Sequence, residues 1–283
     1  MDNRLDSHFI EICSSDFGLS PKINQATLEL AKDNKINCAS VLVDAPNLDY
    51  ATIEEAVVLK HQGKLSLGLQ LNFTELFSSH QDKDLIRPAG KLFNPLYLHC
   101  FYAKGQNKKI VHKIYQEIER QFFLFEDLFD CWPDFIVGHE HVHMLPFFAK
   151  ALRKFYAEHR LDQNKIWVAS LNRVNKLNKT NLPGASKFKN LILRLATKKA
   201  RSRSYSMRKE LLGIYNKDVT SEQFQNLLSF WYNKAQQYNQ STGRGAVILV
   251  HPSLEQEEGI PHSKARVIEY QVLKEKSPLA TSN

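Results

Sequence analysis

Short apolar runs alternate with longer stretches of helical spacing along the chain. The runs predict strands at residues 8–13, 37–43, 65–71, 134–138, 165–170 and 245–250. The helical spacing predicts helices at 49–62, 108–130, 146–160 and about 220–238. A further helix should start at Pro21, because Ser20 can cap its first turn and proline suits the first helical position. This alternation favours a parallel sheet, either open or closed into a barrel.

Polar side chains follow or close four of the predicted strands. These residues are Asp16, Gln70, His139 and His251. In folds with parallel strands, chemistry takes place at the carboxyl ends of the strands. The sequence therefore predicts one site at that end of the sheet, built from these four residues.

The densest group of candidate ligands lies between Gly138 and Pro146 and contains His139, His141 and His143. An extended chain would place the three imidazoles on one face, where they could bind a divalent ion. A histidine cluster held by hydrogen bonds, without metal, is the alternative. The same letters also match the HExxH signature of zinc metallopeptidases. Pro146 follows too closely for the helix that this signature requires, which argues against that interpretation.

A second candidate group, Ser15-Asp16-Phe17-Gly18, follows the first strand. The Asp16 carboxylate could bind a metal from a strand-to-helix turn, and Gly18 permits the tight turn that aims it inward. Asp16 could equally be an ordinary turn residue. Gln70 and His251, each considered alone, are more typical of structural positions than of catalytic ones.

The net charge of +8 comes from one segment of the 283-residue chain. Residues 187–209 carry nine basic side chains and no acidic one. A nucleic-acid-binding surface would need aromatic residues interleaved with these charges, and only Phe188 and Tyr205 qualify, so we expect no nucleic-acid partner. Apolar residues at 191, 192 and 195 indicate instead an amphipathic helix that contacts an anionic membrane, or a solvated lid over the site.

The cysteines and the first residues of the chain predict a cytoplasmic protein. The four cysteines show neither CxxC pairing nor metal-finger spacing, which is typical of a reducing compartment. The first residues are charged where a signal peptide needs an apolar run. No segment approaches the roughly 20 apolar residues of a membrane span. We expect a single domain over residues 1–283, with a basic helical insertion at about 186–210.

Four motifs, taken in order, resemble the YdjC-like carbohydrate deacetylases, also called the ChbG/HpnK family. The matching stretches are Ser15 to Ser20, Gly68 to Thr74, Val137 to His143 with Pro146, and His251-Pro252. The resemblance implies an α/β fold, a single distorted (β/α) barrel of the YdjC-like and polysaccharide-deacetylase type. It also implies an enzyme that removes an acetyl group from an N-acetylated sugar or a related glycan or glycolipid.

Carried over by position, the resemblance implies a divalent ion bound by Asp16, Gln70 and His139. Mg²⁺ is the ion we expect first, with Mn²⁺ and Zn²⁺ as alternatives. It implies catalytic roles for Asp16 and for His251, which would protonate the departing amine or support the metal site. The sequence leaves the oligomeric state open, with a homodimer among the alternatives.

Three positions depart from the family pattern. Ser15 replaces the aspartate that serves as base, Gln70 replaces a ligand histidine, and Val137 replaces an aspartate near the metal. Ser15 cannot act as a base near neutral pH, and an amide oxygen is a weaker donor to transition metals than an imidazole. Two interpretations follow: a deacetylase with altered chemistry, or a catalytically impaired homologue that binds a carbohydrate-like ligand. A metallopeptidase is the third alternative.

Overall fold

Seven parallel strands form a closed barrel in the order of the chain. The structure is a computed structural model that describes residues 10–74, 107–162, 165–170, 181–186 and 209–281. The strands are β1 (Ile10–Phe17), β2 (Cys38–Val41), β3 (Ser66–Leu71), β4 (Phe135–Gly138), β5 (Trp167–Ser170), β6 (Lys209–Leu212) and β7 (Ala246–Val250). β1 pairs with β7 from Ile10 opposite Ala246 to Ser14 opposite Val250, and this pairing closes the barrel.

Helices follow most of the strands and cover the outside of the barrel. They are α1 (Pro21–Lys32), α2 (Tyr50–His61), α3 (Asn107–Phe129), α4 (Pro146–Glu158), α5 (Ser221–Thr242) and α6 (Ser263–Lys276), with short 3-10 helices at His139–Met144 and Pro278–Thr281. The predicted cap of α1 is confirmed, since the Ser20 hydroxyl accepts a hydrogen bond from the backbone N–H of Ile23 at 3.2 Å. No helix in the described ranges has the length and apolarity needed to cross a membrane.

Side chains of the strands alternate between two packed layers. One set packs against the helices in the larger core, as Ile12 and Leu69 do. The other set forms a smaller cluster with members on β1, β2, β4, β5, β6 and β7, including Phe135 stacked on Trp167 at 4.5 Å. The barrel interior is therefore filled by side chains at this level, and the chemistry has to lie at an end of the barrel.

The barrel confirms most of the elements that the sequence predicts, with two omissions. β6 and α6 were not predicted, and β1 continues past residue 13 to Phe17. Of the basic segment 187–209, only Lys209 is described; it opens β6, forms an ion pair with Glu11 and lies over the Trp167 ring. The predicted helical insertion otherwise lies outside the described residues.

Candidate functional site

A cavity of about 360 Å³ opens at the carboxyl ends of the strands. It is lined by residues at or just past the ends of β1, β3, β4, β6 and β7, together with residues from α6 and the loop before it. The four residues that the sequence predicts for a common site, Asp16, Gln70, His139 and His251, all lie on its wall. The structure therefore brings these four residues to one cavity.

Asp16 occupies an unusual backbone position near the end of β1. Its φ of 68° lies in the left-handed region, and the register between β1 and β2 shifts between Ser14 and Phe17. Such a conformation costs free energy for a residue with a side chain, although aspartate tolerates it better than most. Gly18 follows with a φ of 102°, which confirms the predicted glycine turn. The irregularity places the buried Asp16 carboxylate among the residues of the cavity wall.

Both carboxylate oxygens of Asp16 accept hydrogen bonds from neighbouring side chains. Gln70 Nε2 donates to Oδ1 at 2.8 Å, and Arg266 Nη2 donates to Oδ2 at 2.5 Å. His139 Nε2 lies 3.6 Å from Oδ1. Burial by itself raises the pKa of Asp16, but the nearby charge of Arg266 outweighs it, with the imidazoles of His139 and His251 acting in the same direction when protonated, and holds that pKa well below its usual range. Asp16 is therefore an anion at neutral pH.

The hydrogen bonds of Gln70 fix the orientation of its amide group. The backbone N–H of Asp16 donates to Gln70 Oε1 at 2.8 Å, and the Ser40 hydroxyl donates to the same oxygen at 2.9 Å. A backbone N–H can only donate, so the atom that faces it must be the amide oxygen. The NH₂ group of Gln70 therefore faces the Asp16 carboxylate, and the oxygen is turned away from Asp16 Oδ1.

Arg266, on helix α6, is the main residue of this site that the sequence motifs did not indicate. Its side chain is buried, with Nε donating to the carbonyl oxygen of Pro261 at 3.0 Å and Nη2 donating to Asp16. Nη1 is also buried and has no hydrogen-bond partner among the described residues. An unpaired buried donor costs about 1–3 kcal/mol, so a water or ligand oxygen is the expected acceptor.

His251 is held by a second ion pair, between the partly buried Lys217 and the buried Glu269. Lys217 Nζ lies 2.8 Å from His251 Nδ1 and 2.6 Å from Glu269 Oε1, and the backbone N–H of His251 donates to Glu269 Oε2 at 2.5 Å. An ammonium group can only donate, so Nδ1 is the acceptor of that bond. A neutral His251 must therefore carry its hydrogen on Nε2, which makes Nε2–H a donor.

The segment His139–Met144 does not form the extended chain that the sequence analysis predicts. It is a short 3-10 helix in which Glu140 (φ 48°) and His141 (φ 62°) adopt left-handed conformations. His139 and His141 line the cavity, whereas His143 is buried and its Nε2 donates to the Ala169 carbonyl at 3.0 Å. The prediction that the three histidines share one face is therefore wrong.

The same geometry excludes the helix on which a metallopeptidase site depends. The left-handed residues interrupt the segment, and α4 begins only at Pro146. His139 Nδ1 is hydrogen-bonded to the Thr74 hydroxyl at 2.5 Å, while His143 contacts a backbone carbonyl in the core. The two histidines of the HExxH pattern do not converge.

The predicted metal ligands meet, but their arrangement does not fit a divalent ion. Both oxygens of Asp16 are engaged by N–H donors, and Gln70 presents its NH₂ group rather than its oxygen. Within the described ranges, no three His, Cys, Asp or Glu side chains are grouped so that they could hold a metal. Ser15 and Val137, where the family pattern has aspartates, both line the cavity and add no ligand or base. Metal binding stays a prediction.

A family model described as "YdjC-like protein" matches residues 9–281. The chain belongs to the YdjC-like family. Among similar curated proteins, a carbohydrate deacetylase of Mus musculus is 25% identical over 152 residues, which cover 51% of this chain and 47% of that protein. A chitooligosaccharide deacetylase of Proteus mirabilis is 26% identical over 139 residues, covering 49% of this chain and 51% of the relative. The chain thus spans about half the length of these two curated relatives.

A solved structure supports the YdjC-like fold. A protein of Enterococcus faecalis, described as a proposed cellobiose-phosphate cleavage protein, superposes with a TM-score of 0.57 at 16% sequence identity. The superposition covers 93% of this chain and 89% of that one. At this identity the similarity concerns the fold alone, and it agrees with the predicted α/β barrel.

Proposed function

We propose that this chain removes the acetyl group from an N-acetylated sugar or a related glycan or glycolipid. The proposal is supported by the cavity at the carboxyl ends of the strands, which gathers Asp16, His139 and His251 from separate family motifs. Its volume of about 360 Å³ lies at the small end of the range of about 300–1,000 Å³ typical of ligand sites. A single sugar unit with its acetamido group suits a site of this size.

Hydrolysis of the acetamide needs a base for the attacking water, a donor for the negative charge on the acetyl oxygen and a proton for the amine. His139 can supply the base at Nε2 when its Nδ1–H donates to Thr74. Asp16, 3.6 Å from that nitrogen, would stabilise the resulting imidazolium. The imidazolium can then return the proton to the departing amine.

His251 supplies the donor in this scheme. Because Lys217 donates to Nδ1, the hydrogen of a neutral His251 sits on Nε2 and can bond the acetyl oxygen as negative charge develops there. The ion pair of Lys217 with Glu269 holds the imidazole in position before substrate arrives. The route uses only side chains of this chain, because the predicted ligand set does not fit a divalent ion.

A second function, carbohydrate binding without hydrolysis, is favoured because both carboxylate oxygens of Asp16 already accept hydrogen bonds. Ser15 and Val137 provide no carboxylate, and Asp16 already accepts bonds from Gln70 and Arg266. A site of this kind could bind an N-acetylated sugar without hydrolysing it. The chain would then be a carbohydrate-binding homologue within the family.

Acetate release from N-acetylated chito-oligosaccharides separates the two functions. The natural chain, His139→Gln and the exposed control His61→Gln should be compared, with binding of the same oligosaccharides measured by calorimetry. Loss of the base should lower turnover by about 10²–10⁴-fold in His139→Gln and leave His61→Gln unchanged. Binding without acetate release would favour the binding protein, and absence of both would contradict both functions.

A further inference from the structure

We propose that the Arg266 guanidinium takes the place beside the Asp16 carboxylate that a divalent metal ion would occupy. The site of this YdjC-like chain then works without such an ion. The inference concerns the same site as the proposed deacetylation. It stands whether or not the chain releases acetate.

The first support is the charge balance around Asp16. Asp16 is buried and forms a salt bridge of 2.5 Å with the equally buried Arg266. Glu269, a buried carboxylate that hydrogen-bonds the cavity residue His251, is already paired with Lys217 at 2.6 Å. A divalent ion on Asp16 would lie beside a fixed positive charge, and within the described ranges no three His, Cys, Asp or Glu side chains are grouped so that they could hold it.

The second support is the direction of the donors. A metal needs lone pairs, and the groups that face the Asp16 carboxylate are the NH₂ of Gln70 and the Nη2–H of Arg266. Gln70 cannot turn its oxygen toward Asp16 Oδ1 without losing the bonds from Asp16 N–H and Ser40. Gln70 and Arg266 therefore have the same effect. Each directs an N–H group at one Asp16 oxygen, where a metal ion would need a lone pair.

The third support is the way Arg266 is held. Its Nε donates to the Pro261 carbonyl, and its own carbonyl accepts a bond from the backbone N–H of Ser253 at 3.2 Å. The guanidinium is thus fixed at the cavity wall, with Nη1 buried and still lacking an acceptor among the described residues. A fixed cation at this place supplies, beside Asp16, the positive charge that a divalent ion would otherwise bring.

The test is a metal-binding measurement on the full chain. Chelator-stripped protein is dialysed against Zn²⁺ or Mn²⁺, and bound metal is counted by mass spectrometry for the natural chain, for His139→Gln and for the double variant Gln70→His/Arg266→Met. We expect no stoichiometric ion that depends on His139 in the natural chain. The double variant removes the guanidinium and introduces a nitrogen ligand, so it should bind one metal ion per chain. Adding His139→Gln to the double variant should abolish that binding.

A stoichiometric ion in the natural chain that disappears in His139→Gln would overturn the inference. This comparison does not depend on the double variant, and circular dichroism shows whether each variant is folded. Acetate release measured with excess chelator separates this inference from the proposed function. Protein that releases no acetate either with chelator or with added Zn²⁺ or Mn²⁺ would contradict the deacetylase and leave the inference standing. Release that occurs only with a bound ion would support the deacetylase and overturn the inference.

Discussion

Asp16 and Arg266 are 250 positions apart in the chain, and they form a buried salt bridge in which Nη2 donates to Oδ2 at 2.5 Å. Each charge depends on the other, because an isolated ion in a site this buried would lose its hydration without compensation. Gln70 completes the arrangement by donating to the other carboxylate oxygen. The pair thus contributes to the stability of the fold and also places two opposite charges at the wall of the cavity.

Removing either partner should destabilise the chain strongly. Breaking a buried pair from one side typically costs about 3–5 kcal/mol, since the remaining charge is left unpaired. Asp16→Asn and Arg266→Met should each lower the free energy of unfolding in urea by about that amount. The double variant should lose less than the sum of the single losses, because neither charge remains. Additive losses would show that the two residues are not coupled.

Ser15→Asp should increase acetate release. Ser15 is buried at the cavity wall, at the position where the family pattern has its base. General-base catalysis is typically worth about 10²–10⁴-fold, so even a poorly placed carboxylate should raise turnover measurably. Ser15→Asn, which has the same shape and no basic oxygen, is the matched control. Equal rates for the two variants would show that residue 15 does not reach the attacking water.

The tautomer of His251 can be tested by nitrogen NMR on histidine-labelled protein. At neutral pH the neutral ring should carry its hydrogen on Nε2, with Nδ1 accepting from the Lys217 ammonium. In Lys217→Met the Nδ1 resonance should move toward that of a lone pair without a hydrogen bond. A hydrogen on Nδ1 in the natural chain would contradict the role of His251 as an Nε2–H donor.

His143 should make the fold sensitive to mild acid. Burial lowers the pKa of His143 from 6.5 to about 4, so on acidification the unfolded chain takes up the proton first. The stability that this neutral histidine contributes is complete above pH 6.5 and is lost as the pH falls from 6.5 toward 4. One pKa unit corresponds to about 1.4 kcal/mol, which gives a loss of about 2 kcal/mol at pH 5.

The measurement compares urea unfolding at pH 7 and pH 5. His143→Gln can still donate to the Ala169 carbonyl but cannot titrate, so its loss of stability between the two pH values should be smaller than that of the natural chain. His61→Gln, at an exposed position on α2, should behave like the natural chain. Identical pH dependence in all three proteins would assign the acid sensitivity to other groups.

The sequence predicts the barrel well where apolar runs mark the strands, and fails where charged residues are buried. β6 consists of Lys209–Leu212, and its two charged residues are satisfied inside the protein, Lys209 by Glu11 and Glu210 by the Tyr238 hydroxyl at 3.3 Å. Hydropathy cannot anticipate such pairing. The conformation of the segment His139–Met144 was predicted wrongly because the left-handed conformations of Glu140 and His141 leave no pattern in the sequence.

The positions of the site residues were predictable, but their hydrogen bonds were not. Asp16 and Gln70 lie near the ends of their strands and His139 and His251 directly follow theirs, and parallel strands bring their carboxyl ends together. Arg266 was missed because α6 was not predicted. A signal was nevertheless present, since Arg266 and Glu269 are three residues apart on one helix, and helical residues with this spacing share a face.

The pairing of β1 with β7 has a kinetic consequence for the cavity. Asp16 is synthesised early and Arg266 250 residues later, so the acid has no counter-ion until the two edges of the sheet meet. Contacts of such long sequence separation form slowly, because a large loop must close first. A nascent chain that has folded its first strands still lacks half of the site. Ligand capture should therefore appear only after the barrel has closed.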